Sequence, residues 1–380
     1  MSKKIMVLAG EASGDLQGAH LAATIRHLKP SYKFFGIGGA RMKSKGVMIF
    51  EESTSWGIIG PWHALGKIPF LLGLVKRVKA IILKERPDLL ILIDTPSINM
   101  RIARFAHDHG VKTLYFFPPS AWFPSVERVK KIARVSDYLV PAFTYTVKTY
   151  RRAGIPVNYF GHPLVDMLEV KGERDELVAR LGLPPGKDYV ALMPGSRHQE
   201  IVSLLPVLVK TKELLMKERK NLHFILPMAL PLYRPLIEGL TAPHMEGLTL
   251  AEGNAHEVMK LSRCILMASG SASLEAAILG VPMVVLYKLA WPDWCIGKLL
   301  IKVPHISLPN LILQKRVVPE LVQLEVNPRR IAAECLPLID ETPGRRMMLE
   351  ALLEVRLDLG SPGVTKNIAQ FVVDICENGS

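Results

Sequence analysis

Short, continuous apolar runs alternate with longer segments of helical period along most of the chain, and that alternation predicts α/β architecture with parallel sheets. The first run, in KKIMVLAG, predicts a strand over residues 5–8. The turn GEASGD at 10–15 hands it to a helix in which Leu21, Ile25 and Leu28 recur at helical spacing and which Pro30 stops. FFGIGGARM at 34–42 reads as a strand entering a glycine turn. PDLLILIDTPSIN at 87–99 reads as a fully buried strand emptying into a loop at Asp94, and VKTLYFFPPSAW at 111–122 as another strand-to-loop exit. Open parallel sheets bind ligands where strands release their loops at the carboxyl edge. Glu11, Asp15, Asp94 and Ser120 all stand at such exits.

The pattern restarts near Asp188. DYVALMPGSRHQEI at 188–201 is again strand, glycine turn and helix, and ILMASGSASLEAAILGVPMVVLY at 265–287 runs strand, glycine turn, helix, glycine, strand. Between the halves, KGERDELVARLGLPPGK at 171–187 is polar and rich in proline and glycine, as a linker would be. Two Rossmann-like domains facing each other across a cleft are expected, over residues 1–170 and 171–345, followed by C-terminal helices over 346–380. The FVVDI of that last segment needs a partner surface.

Composition agrees with two ordinary domains: 380 residues, 49% hydrophobic and 22% charged, enough to bury substantial cores. MSKK runs straight into the first strand without the apolar core of a signal peptide, and no charge-free run reaches the ~18 residues of a membrane span. Neither a secretory leader nor a spanning helix is therefore expected. Cys264, Cys295, Cys335 and Cys376 form no CxxC pair and read as reduced thiols of a cytosolic protein. The net charge of +13 suits an anionic membrane, an anionic small substrate or nucleic acid. Two stretches mix that charge with bulky apolar residues. Residues 67–86 carry six basic residues against one acid, and residues 297–316 carry four and none. Each suits an interfacial helix or, equally, a core helix whose lysines snorkel outward. Aromatic content is only 7% and no nucleic-acid module appears, so no nucleic-acid partner is expected.

The turns differ in what they can hold. Gly195, Ser196 and Arg197 of PGSR combine small residues, backbone N–H groups, a hydroxyl and a guanidinium at a helix start, which suits an anion; an ordinary capping turn would look the same. Ser269, Gly270, Ser271, Ala272 and Ser273 form a second cradle, with Glu275 placed to reach ribose hydroxyls or simply to complement the helix dipole. Two such turns in one domain favour a nucleotide diphosphate. Neither matches GxxxxGK[ST] or GxGxxG, no DxD occurs, and no His/Cys cluster has metal spacing. No cofactor or metal is expected, and the leaving diphosphate falls to arginine and protein dipoles. The acids of GEASGD suit hydroxyls instead, as acceptors or as a base. Asp15 is explained as well by helix capping. Asp94, ending an apolar strand, costs desolvation unless paired or useful.

GEASGD, FFGIGGARM, ID-x-P-x-x-N, PGSR-x-x-E, SG-x-A-x-LE and SLPNLI followed by VPELVQ keep the order seen in the lipid-A-disaccharide synthases of Gram-negative bacteria, over nearly the whole chain, and the sequence resembles that family. The resemblance implies a GT-B glycosyltransferase of lipid A biosynthesis. It would join UDP-2,3-diacylglucosamine to 2,3-diacylglucosamine 1-phosphate (lipid X) through a β(1→6) bond, with inversion and release of UDP. It implies work without metal at the inner face of the inner membrane, against anionic lipids. It also implies a homodimer that can exchange the C-terminal segments otherwise packed on the N-terminal domain. The family's required aspartate falls on Asp94, its PGSR arginine on Arg197 with Glu200 three residues on, its nucleotide-site asparagine on Asn310 and an acid on Glu320. On the acceptor side the motifs bring in Ser13, Gly14, Asn99, Ser120 and Trp122. Two segments depart from the family. DTPSIN has Ser97 where an acid is usual, which narrows the base to Asp94, and WFPSVER lacks the usual Trp-Arg pair after Trp122.

The expected mechanism is direct displacement, with Asp94 as base, Glu11 and Asp15 beside it, and UDP held by Arg197, the 269–273 turn, Glu275, Asn310 and Glu320. The alternatives are another two-Rossmann UDP-sugar enzyme, such as a UDP-N-acetylglucosamine epimerase, and a non-enzymatic basic binding protein.

Overall fold

The computed structural model describes residues 2–53, 68–94, 96–119, 126–228, 230–291, 294 and 304–378. Ser120, Trp122, Cys295 and residues 297–303 of the second basic stretch lie outside them. Two six-stranded parallel sheets carry the fold. The first contains β1 (Lys4–Ala9), β2 (Lys33–Gly38), β3 (Met48–Glu52), β4 (Leu89–Ile93), β5 (Lys112–Phe116) and β6 (Tyr138–Val140), in the order β3-β2-β1-β4-β5-β6. The second contains β7 (Asp188–Met193), β8 (Leu222–Met228), β9 (Leu248–Glu252), β10 (Ser262–Ala268), β11 (Met283–Tyr287) and β12 (Glu320–Val322), in the order β12-β11-β10-β7-β8-β9. Both are the doubly wound order, in which the first and fourth strands of each set lie side by side at the switch point. The expected α/β fold of two Rossmann-like domains is the one observed.

The chain divides into two compact units, one of Met1–Asp166 with Leu359–Ser380, the other of Met167–Trp291 with Pro304–Asp358. In the first, the LLILI of β4 is buried at every position because helices cover both faces of its sheet. One face packs on the helix Ala12–Leu28 through Leu21, Ala22 and Ile25, and on the last helix, Val364–Asn378, through Ile368, Val372, Val373 and Ile375. The FVVDI segment finds its partner surface there, on the sheet of its own chain. Asp166 fixes the return, accepting from Gly363 N (2.6 Å) and Thr365 N (2.7 Å).

The other face of that sheet receives the helix Ile68–Glu85. Leu74, Val78 and Ile82 form its buried stripe, while Phe70 and Leu72 are exposed near its start. Lys79 lies over the Phe105 ring at 4.8 Å, and Arg77 pairs with Glu51 at 2.5 Å. The first basic stretch is thus a core helix along one side, with its cations spread along the other. No helix among the described residues is long and apolar enough to cross a membrane. Cys264, Cys335 and Cys376 are buried free thiols.

Candidate functional site

In the first unit, β1 and β4 are neighbours with Ala9 opposite Ile93, so the chain leaves both strands side by side at the carboxyl edge. Asp94 is the first residue beyond β4. Its backbone is left-handed, at φ +48°, a conformation open to Asp at a cost of about 1–3 kcal/mol. Its N–H continues the ladder to Phe116 O at 3.1 Å. Its carbonyl accepts from Asn99 Nδ2 at 2.6 Å and from the Tyr115 phenol at 2.8 Å. The main chain is held from below and the residue stands exposed above it. Asn99 is only 2% exposed and also donates to Ile93 O at 3.1 Å, so this candidate acceptor-side residue is an internal brace for Asp94. Burial, and after it the charge of Asp94, pushes the Tyr115 phenol well above its ordinary range and keeps it a donor. Burial, and to a lesser degree the charge of Asp94, also raises the Tyr145 phenol. No motif pointed to either tyrosine.

Asp15 is 2% exposed. Its Oδ1 accepts from Gly39 N (2.6 Å) and Met42 N (3.1 Å), and its Oδ2 from Arg41 N (3.1 Å). It therefore caps the helix Ala40–Ser44 that follows β2, not its own helix, and its carboxylate is spent on backbone amides rather than presented to a sugar. Gly14 is buried, and a Cβ there would touch Ala9 Cβ at 3.4 Å and Ile93 Cγ2 at 3.5 Å. Its smallness seats the helix start on β1 and β4. Glu11, half-buried at the N-cap, and Ser13, exposed in the first turn, are the polar members of GEASGD that remain at the surface, on the strand edge from which Asp94 also emerges.

In the second unit β7 and β10 are neighbours, with Met193 opposite Met267, which again sets two turns side by side. Gly195 has φ +112°, where an L side chain is strained, and a Cβ would run into the Glu200 carboxylate. Glu200 reaches back from the first turn of the helix His198–Glu218. Its Oε2 accepts from Ser196 N (3.1 Å) and Arg197 N (3.3 Å), and its Oε1 meets Arg197 at 3.1 Å. The amides expected to be open to a phosphate are thus covered by an internal carboxylate. Glu200 fills this anion cradle rather than adding to it.

The second turn is more open. Ser269 donates its hydroxyl to Ile306 O (2.7 Å) and the fully buried Ser273 to Gly270 O (2.7 Å), so both hydroxyls face inward. Gly270 and Ser271 are exposed, and the N–H groups of Gly270, Ser271 and Ala272 make no hydrogen bond among the described residues. A cavity of about 330 Å³, lined by Met228, Pro231, Arg234, Glu252 and Gly253, opens at the ends of β8 and β9 on the same edge.

Asn310 is 0% exposed and saturated by the protein. Its Nδ2 donates to Val318 O (3.0 Å) and Glu320 Oε1 (2.8 Å), and its Oδ1 accepts from Val317 N (2.7 Å) and Val318 N (2.9 Å). Glu320 Oε1 also takes Ile306 N (3.1 Å), Ser307 N (2.8 Å) and the Ser307 hydroxyl (2.6 Å). The pair holds the loop whose Ile306 carbonyl receives Ser269. Asn310, fully enclosed, supports the cradle without lining it, while Glu320 keeps its second oxygen outside this network. Among the described residues no group of three or more His, Cys, Asp or Glu is arranged to hold a metal ion.

A family model described as lipid-A-disaccharide synthetase matches residues 5–370. A lipid-A-disaccharide synthase of Geobacter sulfurreducens is 39% identical over 374 residues, covering 98% of this chain and 97% of the relative. One of Nitrosococcus oceani is 35% identical over 377 residues, covering 98% and 96%. Among solved structures, a putative UDP-N-acetylglucosamine 2-epimerase of Listeria monocytogenes superposes with a TM-score of 0.71 at 13% identity, covering 100% of this chain and 97% of the other. The UDP-GlcNAc 2-epimerase of Neisseria meningitidis bound to UDP-GlcNAc superposes at 0.68, also at 13% identity, covering 98% and 100%. At that identity the likeness is one of fold.

Proposed function

The chain belongs to the lipid-A-disaccharide synthetase family, and we propose that its two sheets divide the work of that reaction, the first serving the acceptor sugar and the second the UDP-sugar. The enzyme is a hexosyltransferase that condenses UDP-2,3-diacylglucosamine with 2,3-diacylglucosamine 1-phosphate and releases UDP. Asp94 takes the proton of the acceptor 6-hydroxyl as that oxygen bonds to the anomeric carbon. The carbon–oxygen bond to the diphosphate breaks on the opposite face, UDP leaves with the electron pair, and the α linkage becomes β. Glu11 and Ser13 orient acceptor hydroxyls. Arg197 and the open amides of the 270–272 turn receive the diphosphate without a metal ion, and Glu275 receives the ribose.

The observation that carries this reading is Asp94, set in a left-handed conformation at the end of a buried strand by two hydrogen bonds to its own carbonyl. Strain of that kind is kept where a side chain must be aimed.

Lipid-borne substrates bring the enzyme to the cytoplasmic face of the inner membrane, and exposed Phe70 and Leu72 on a basic helix support that placement. A second copy of the chain is a further proposed partner, through exchange of the C-terminal segment that here packs on its own sheet.

The test is a product assay. Purified protein in detergent receives both substrates with EDTA, and the products are identified by mass. A tetraacyl disaccharide phosphate with UDP is expected. UDP without disaccharide would overturn the acceptor assignment, and a C2-epimerised UDP-sugar would favour the epimerase reading.

A further inference from the structure

Among the described residues Glu275 is committed at only one of its two oxygens. His256 Nε2 lies 2.8 Å from Glu275 Oε2, and Glu275 has no other side-chain hydrogen bond among the described residues. The two residues come from separate elements. His256 is the second residue of the helix Ala255–Leu261, which follows β9, and Glu275 belongs to the helix Ala272–Ile278, which follows β10. In the sheet β7 and β8 lie between those strands, so the pair ties together two helices whose strands are not neighbours. The next residue, Glu257, pairs elsewhere, with Arg180 at 3.4 Å. The Glu275 side chain is 18% exposed and that of His256 44%. Gly253, three residues before His256, lines the cavity at the ends of β8 and β9.

We infer that His256 is a positioning residue for the nucleotide: by donating to Oε2 it fixes the Glu275 carboxylate so that Oε1 is presented to the ribose hydroxyls. The inference rests on the reading of this sheet edge as the UDP-sugar site. A glutamate has three side-chain torsions, and ordering them on binding weakens a ligand by roughly three- to tenfold. A side chain held beforehand by a neighbour avoids that loss. His256 touches no reacting atom in this scheme, so it acts on affinity and leaves the chemical step alone.

The experiment measures UDP affinity by calorimetry, and donor KM and kcat by turnover, for His256→Ala, His256→Gln, Glu275→Ala and the double variant. His256→Ala is expected to weaken UDP and raise donor KM roughly three- to tenfold, with kcat within about twofold. His256→Gln should recover most of the loss, because its amide nitrogen can donate from nearly the same position. In the Glu275→Ala background, His256→Ala should add nothing. Repeating the titrations with 2′,3′-dideoxyuridine diphosphate should erase the effect. An equal loss for UDP and the dideoxy analogue would overturn the positioning role. So would weakened UDP binding in Glu275→Ala with none in His256→Ala, and that result would leave the nucleotide site standing. Unchanged UDP affinity in Glu275→Ala would overturn the nucleotide-site reading itself, and the positioning role with it.

Discussion

The phenol of Tyr115 donates to the main-chain carbonyl of Asp94 at 2.8 Å, from a side chain that is fully buried beneath the strand edge. The bond does not touch the Asp94 carboxylate. It fixes the peptide that aims the carboxylate, in a left-handed conformation the chain would otherwise leave. Tyr115→Phe keeps the ring and removes the bond. It should cost about 1 kcal/mol of stability and lower kcat roughly tenfold as Asp94 relaxes, with UDP affinity unchanged. Steady-state kinetics and a UDP titration check both halves, and an unaltered kcat would end the aiming role.

Asp94→Asn isolates the base more cleanly than Asp94→Ala. Asparagine adopts the left-handed conformation readily, whereas alanine there costs roughly 1–2 kcal/mol. Turnover in Asp94→Asn should fall by about 10²–10⁴, with the melting temperature and UDP affinity close to wild type. Lost UDP binding in the folded variant would remove Asp94 from the acceptor side.

Glu200 occupies the amides of Ser196 and Arg197 and pairs with the Arg197 guanidinium, the group proposed above to receive the diphosphate. Its charge opposes the ligand. Glu200→Gln keeps the shape and removes the charge, so UDP should bind about three- to tenfold more tightly as repulsion worth ~1 kcal/mol is lost. Stability should fall by about 0.3–1 kcal/mol as the helix start loses its acid. Calorimetry and thermal melting report the two opposite signs. Weaker UDP binding would instead make Glu200 a supporting residue of the site.

Asn310→Ala should act mainly on the fold. Its carboxamide is enclosed and makes four hydrogen bonds to the protein, and its loss leaves the Val317 and Val318 amides and the Val318 carbonyl without partners. A cost of about 3–5 kcal/mol is expected. UDP affinity measured well below the melting transition should change much less, and a large affinity loss in a variant of normal stability would return Asn310 to the ligand.

These residues also mark how far the sequence could be read. The strands at 5–8 and 89–93 were legible because burial on both faces makes a continuous apolar run. β3 was not, since MIFEE lies half-exposed at the sheet edge and shows no such run. The motifs located Asn310, Glu320 and Asn99, but a motif does not say which way a side chain turns, and all three face inward. Asp15 caps a helix that starts 25 residues later, a contact no local spacing encodes. Glu200 was the more readable case, because a glutamate in the first turn of a helix commonly reaches back to the amides at its start.

His162 gives the fold a pH dependence with a definite sign. It is buried between the Phe117 and Phe143 rings (5.2 and 5.1 Å), and its Nδ1 accepts from Leu164 N at 3.1 Å. Burial lowers its pKa from 6.5 to about 3, so the folded protein holds it neutral. Between those values the unfolded chain binds the extra proton. The stabilisation is therefore complete above about pH 6.5 and is lost as the pH falls toward 3, by about 1.4 kcal/mol for each unit. His162→Asn keeps an acceptor for Leu164 and removes the titration. Wild type should lose about 2 kcal/mol more than this variant between pH 7 and pH 5 in paired unfolding measurements. Equal losses would mean that His162 is protonated in the folded protein.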